Sequence, residues 1–105
     1  MKYYLFFVTV GNMDEGKHIA KTLVKENIAA CVNIVPNIIS IYEWKQNIEE
    51  DNEQLLVIKT TQEKSDFLIK KIEEIHSYEN PECIGLKIHK GANNYLKWIN
   101  NVLTK

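Results

Sequence analysis

Arginine is absent from this chain of 105 residues: all thirteen basic side chains are lysines. Without a planar guanidinium there is no bidentate fork for phosphate or carboxylate, and lysine serves only as a point charge. An excess of either charge is lacking too, since a net value of −1 supplies no long-range field for polyanions. The two cysteines, Cys31 and Cys83, exclude a dense disulfide framework and suit a reducing compartment. No apolar run approaches the roughly 20 residues needed to cross a bilayer. With four glycines and two prolines the chain shows no linker, no low-complexity tract and no repeat, so a single domain over residues 1–105 is expected. The opening run, one lysine followed by apolar residues, has the look of a secretory signal. It lacks a small-residue cleavage site and passes directly into Gly11-Asn12-Met13-Asp14-Glu15. A strand leading into a helix fits better, and the expected location is the cytoplasm.

What the chain does have is one unusually long apolar strand. Residues 30–44, extended at about 3.3 Å each, reach roughly 50 Å. The helix expected before them, residues 14–27, covers only about 21 Å at 1.5 Å per residue. The overhang is apolar on both faces, because alternation sends Ile39 and Ile41 one way and Ile38, Tyr42 and Trp44 the other. Burying each such group is worth about 1.5–3 kcal/mol. Natural sheets avoid bare apolar edges, so a homo-oligomer in which this hairpin docks on neighbouring copies is expected.

The remaining elements follow from local signals. Residues 2–10, rich in aromatic and β-branched side chains, read as a first strand. Asn12 or Asp14 can cap a helix whose inward stripe is Ile19, Ala20, Leu23, Val24 and Ile28. Pro36 cannot donate to a ladder, which predicts a bulge in the second strand near an edge. Lys45-Gln46-Asn47 reads as the hairpin tip, with Asn47 suited to a left-handed conformation. After the acidic patch Glu49, Glu50, Asp51 and Glu53, a third strand is expected over residues 54–60. A second helix starts near Thr61 and Gln62 and turns Phe67, Leu68, Ile72 and Ile75 inward. A fourth strand over residues 82–89 and a closing helix over 93–102, with Tyr95, Leu96, Ile99 and Leu103 inward, complete the order β-α-β-β-α-β-α. This is a ferredoxin-like α+β sandwich with an extra C-terminal helix and a long hairpin between the second and third strands.

Such a fold serves enzymes, RNA binders and regulators alike, so the side chains must decide. Base stacking on this fold needs aromatics on the first and third strands, and residues 54–60 contain none. With no basic stripe either, no nucleic-acid partner is expected. Phosphatase chemistry would want an arginine. No Ser-His-Asp set can be assigned, and Gly11 with Gly16 makes neither a P-loop nor a dinucleotide fingerprint. The chain is expected not to be an enzyme.

Six segments carry a specific resemblance. Val8-Thr9-Val10, Ala29-Ala30-Cys31-Val32-Asn33-Ile34-Val35-Pro36, Ser40-Ile41-Tyr42-Glu43-Trp44, Ile58-Lys59-Thr60, His76-Ser77-Tyr78-Glu79-Asn80-Pro81-Glu82 and Tyr95-Leu96-Lys97-Trp98 follow one another as in the CutA divalent-cation tolerance proteins. The resemblance implies a trimer of interlocking hairpins with a PII-like architecture, and a role in tolerance of copper and other divalent metals. The alternative it leaves open is a PII-like small-ligand sensor or scaffold without metal chemistry. The chain departs from the family's usual pattern at Ser77, where proline is common in His-Pro-Tyr, at Gln46, a glycine position of the hairpin, and at Cys83, an aliphatic one.

Imidazole, thiolate and carboxylate suit copper and zinc. His76, Glu79, Glu82 and Cys83 fall together between the second helix and the fourth strand, and Cys31 is a family-matched position. The metal candidates are therefore His76, Glu79 and Cys31, with copper or another divalent ion as a ligand rather than an obligatory cofactor. The plainer reading is that His76 meets the helix's last carbonyls, Glu79 is solvated and both thiols are packing groups. In the ferredoxin-like strand order the second and fourth strands lie at opposite edges, about 14 Å apart, so Cys31 and Cys83 neither bridge nor share an ion within one copy. Tyr42, Trp44 and Lys59 are the candidates for a subunit interface or cleft.

Overall fold

The computed structural model describes residues 2–105. The elements run β1 (Tyr3–Val10), α1 (Met13–Lys25), β2 (Cys31–Trp44), β3 (Asn47–Thr61), α2 (Gln62–Ile75), β4 (Cys83–Ile88) and α3 (Asn93–Leu103). The strands form one antiparallel sheet in the order β2-β3-β1-β4. This is the expected ferredoxin-like α+β sandwich with its extra helix and long hairpin.

Alternation along β1 sends Phe6, Val8 and Val10 toward α1 and α2, where they pack with Leu56 and Ile58 of β3, Ile19 and Leu23 of α1, and Leu68 and Ile72 of α2. Among the described residues the other face of the sheet is covered only at one end, where Ile99 and Leu103 of α3 close on Ala30 and Tyr3. None of the described helices is long and apolar enough to cross a membrane.

Helix boundaries have local causes. Asn12 accepts a hydrogen bond from the Glu15 N–H at 2.8 Å, so it is the cap of α1. At the other end Asn27 takes φ 58°, its N–H meeting the Val24 carbonyl at 3.1 Å and that of Ile28 the Leu23 carbonyl at 2.9 Å. That double bond pattern is a Schellman closure, with asparagine in the left-handed place glycine usually takes. Gly85 is dictated by packing, because a Cβ there would stand 2.7 Å from the Phe6 ring.

The bulge at Pro36 is present: pairing with β3 breaks between Val35 and Ile38. Asn37 takes φ 60° and its N–H donates to Gln54 Oε1 at 2.9 Å, so a side chain replaces the missing ladder partner.

Several expectations need correction. The left-handed residues of the hairpin turn are Lys45 and Gln46, at φ 50° and 71°, and Asn47 is already paired with Trp44. A two-residue loop with two positive φ values matches the twist of the flanking strands better than a three-residue tip. The third strand starts at Asn47 rather than at residue 54, so the acidic patch lies inside the ladder. Backbone pairing there does not depend on side-chain polarity; Glu50 and Asp51 project from the ribbon, whereas Glu53 is buried.

Phe67, expected inward, is 63% exposed. The α2 stripe runs through Leu68, Ile72 and half-buried Ile75, and one residue before it is a rotation of about 100° away. Val24 and Tyr95 are likewise exposed, and Tyr95 stacks on Trp98 instead, ring centroids 5.7 Å apart.

Candidate functional site

Two neighbourhoods gather polar chemistry, and they sit at different ends of the sheet. The first is a cleft of about 650 Å³ between the hairpin and the connection from α2 to β4. Its hairpin wall carries Tyr42 and Trp44 from β2 with Asp51 and Glu53 from β3, and the opposite wall carries Tyr78, Glu79 and Glu82. Cross-strand pairing of Ser40 with Asp51 and of Tyr42 with Glu49 puts these β2 and β3 side chains on one face of the ribbon. Ile39, Ile41 and Ile48 occupy the other face.

Each tyrosine of the cleft is tied to a carboxylate. Tyr78 donates to Glu53 at 2.6 Å, and Tyr42 donates to Asp51. The hydrogen bond to Asp51, with lesser help from desolvation, pushes the Tyr42 hydroxyl up from 10.0 to about 12. Burial first, then the bond to Glu53, raises that of Tyr78 as well. Both phenols therefore stay protonated, and the cleft keeps the negative sign of its acids. Tyr78 can lie where it does because Gly11 has no side chain: a Cβ there would stand 3.1 Å from the tyrosine oxygen.

Behind the cleft, His76 follows the last turn of α2 with its side chain fully buried. Its Nε2 lies 2.7 Å from the Thr9 carbonyl oxygen and its Nδ1 3.0 Å from the Tyr78 N–H. A carbonyl only accepts and an amide N–H only donates, so the ring is the neutral tautomer with its proton on Nε2. Neither nitrogen has a lone pair free for an ion. Glu15 of α1 braces the same turn, accepting from the Ser77 N–H and hydroxyl at 2.8 Å each. Ser77, the departure from the family's proline, thus supplies two donors that proline lacks.

The second neighbourhood lies on the sheet face away from α1 and α2. Lys59 of β3 pairs with Cys31 of β2; its ammonium donates to Asn33 Oδ1 and stands 3.9 Å from the Cys31 sulfur. Tyr95 of α3 reaches this sulfur too, and burial, with Cys31 beside it, raises the Tyr95 hydroxyl. Cys83 is separate again. Desolvation, then Glu73 and Glu82, pushes its thiol from 9.0 to about 11, the condition of an inert packing group.

The three expected metal ligands are thus not brought together in one copy. His76 reaches Thr9, whereas Cys31 lies beside Lys59, which pairs with Leu5. Four residues along the sheet and two strand spacings separate them, about 13 Å by about 10 Å. Glu79 is exposed on the cleft wall. Among the described residues no group of three His, Cys, Asp or Glu side chains converges where an ion could sit. Of the interface or cleft candidates, Tyr42 and Trp44 line the cleft and Lys59 does not. Sequence reasoning gave no role to Glu15, Asn33 or Tyr78, and grouped Glu53 only with the acidic patch. The signal available for Tyr78 was an aromatic in a loop, and for Glu53 an acid placed where the polar half of its strand meets the apolar run Leu55-Leu56-Val57-Ile58.

Fold, hairpin and cleft define a class: ferredoxin-like domains whose central hairpin outgrows its own sandwich. The family model described as CutA1 divalent ion tolerance protein matches residues 4–102. The chain belongs to this family. The divalent-cation tolerance protein CutA of Thermus thermophilus is 42% identical over 92 residues, spanning 88% of this chain and 89% of that protein. The chloroplastic protein CutA of Arabidopsis thaliana is 45% identical over 95 residues, which are 90% of this chain and 52% of that protein. This chain therefore spans about half the length of the plant relative. The crystal structure of CutA1 from Oryza sativa superposes with a TM-score of 0.97 at 39% identity, covering 100% of this chain and 96% of that one.

Proposed function

We propose that this chain acts as a homotrimeric divalent-cation tolerance protein of the cytoplasm that binds copper-type ions at sites completed by a neighbouring copy. Family membership supports the tolerance role. The observation that carries the assembly is the bare stripe of Ile39, Ile41 and Ile48 on the hairpin, 57%, 67% and 75% exposed. Open apolar area of this kind marks a contact surface. Binding between copies is favoured because one copy offers its thiols and carboxylates at separate places. Cys31 is half-buried on the open sheet face and Glu79 lies on the cleft rim, so both are available to a neighbour. No catalysis is part of this reading.

Sedimentation velocity beside calorimetric titration with copper and zinc tests it. The expected result is a species of three copies that binds metal, with affinity lowered at least tenfold in Cys31→Ser. A single-copy species in dilute solution, or metal binding indifferent to both Cys31→Ser and Glu79→Gln, would remove the proposal. A second reading, a small-ligand sensor, is favoured by one specific feature: the cleft lies within the size range of small-molecule pockets and has aromatic walls.

A further inference from the structure

We infer that the cleft takes a linear organic polycation, of the polyamine class. This rests on the second reading above, that the cleft is a ligand site, and names what enters it. Carboxylates from both walls line the cavity, Asp51 and Glu53 on the hairpin and Glu79 and Glu82 on the α2–β4 connection, and no lining residue is basic. Yet among the described residues no three acids converge on a point, so the cavity does not offer the compact oxygen cage that a single divalent ion needs. Negative charge spread along walls about a cavity of roughly 650 Å³ matches positive charge spread along a chain.

The walls between the acids add the second element of recognition. Tyr42, Trp44 and Tyr78 present ring surface to the cavity, and aromatic faces attract ammonium groups while packing against methylene segments. One ring already does so: the Lys45 ammonium stands 6.0 Å from the centre of the Trp44 ring. A polyamine entering the cleft would compete with Lys45 for this face. The tyrosine hydroxyls donate to Glu53 and Asp51 and hold those carboxylates in place, leaving other oxygens to accept from the ligand.

The test is titration of the full chain with spermidine, read by tryptophan fluorescence and calorimetry at fixed ionic strength, with ATP and magnesium as comparison ligands. Saturable spermidine binding is expected. It should weaken roughly threefold to fivefold in Trp44→Leu, which leaves the charge unchanged, and about tenfold in Glu79→Gln/Glu82→Gln. It should tighten in Lys45→Gln, which vacates the ring. Glu63→Gln on α2, far from the cleft, should leave it unchanged. Binding of ATP but not spermidine, lost in Trp44→Leu, would keep the cleft as a ligand site and overturn the polycation. Binding of neither would overturn both. Spermidine binding indifferent to Trp44→Leu and displaced equally by magnesium at matched ionic strength would be diffuse counterion attraction and would also overturn the inference.

Discussion

The sheet beneath α1 and α2 and the ribbon beyond them are strung from similar residues and meet different fates. Under the helices Val8, Leu56 and Ile58 are wholly buried; on the ribbon Ile39, Ile41 and Ile48 are mostly bare. In both regions alternation assigns a side chain to a face. What differs is whether that face has a second layer. A strand pattern therefore states which way a residue points but not whether anything waits there. The two faces of the ribbon differ as well: one carries the isoleucines, the other the aromatic and acidic wall of the cleft.

The largest effects should come from the covered half. Ile72→Ala or Leu68→Ala removes a fully buried side chain from the helix layer and should lower stability by about 2–5 kcal/mol in urea unfolding. His76→Ala should follow at about 1–3 kcal/mol, since it strands the Thr9 carbonyl and the Tyr78 N–H. It should also loosen Tyr78, seen as faster amide exchange across residues 77–80. If His76→Ala were neutral, the buried ring would not be the brace of the cleft.

On the ribbon the effects should be smaller and in one case reversed. Gln46→Gly relieves a left-handed residue at φ 71° and should raise the unfolding midpoint, by about 0.5–1 kcal/mol in free energy. Ile41→Ser should change the stability of an isolated copy by no more than about 0.5 kcal/mol. Its signature is mass: sedimentation should show smaller species than the parent chain. A loss of several kcal/mol with no change in mass would mean that the ribbon is packed within its own copy, and the contrast between the halves would fail.

Alkaline pH gives the mildest probe. Burial holds the Cys83 thiol from 9.0 up to about 11. A raised value means the folded chain retains a proton that the unfolded chain has already lost. The associated stabilisation is whole below about pH 9 and is lost as pH rises through the folded value, so the urea midpoint should fall across that window. Alkylation of Cys83 should stay slow over the same range.

Much of this was legible in the chain. Asn12 as a cap, Asn27 near a helix end, the Pro36 bulge and the inward stripe of α1 through Ile19 and Leu23 each depend on neighbours a few residues away. Phe67 and Tyr95 were misjudged because an apolar side chain adjoining a helical stripe fits the pattern with either orientation, and packing alone chooses. The cleft was hidden for a different reason. Glu53 read as one member of the acidic patch beside the hairpin, and nothing nearby in sequence indicated that Tyr78, 25 residues on, would close over it.

The sequence by itself determined the element order, the alternation that makes the ribbon two-faced, and membership of a family through six ordered segments. These are encoded by periodicity and turn chemistry, which act over a few residues. Only the tertiary structure decided that the imidazole of His76 spends both nitrogens on backbone 67 and two residues away, and that Cys31 stands with Lys59. It alone assembled acids and rings from the hairpin and the α2–β4 connection into one cavity. Such pairings are set by how strands register and layers stack, and that geometry does not exist until the chain has folded.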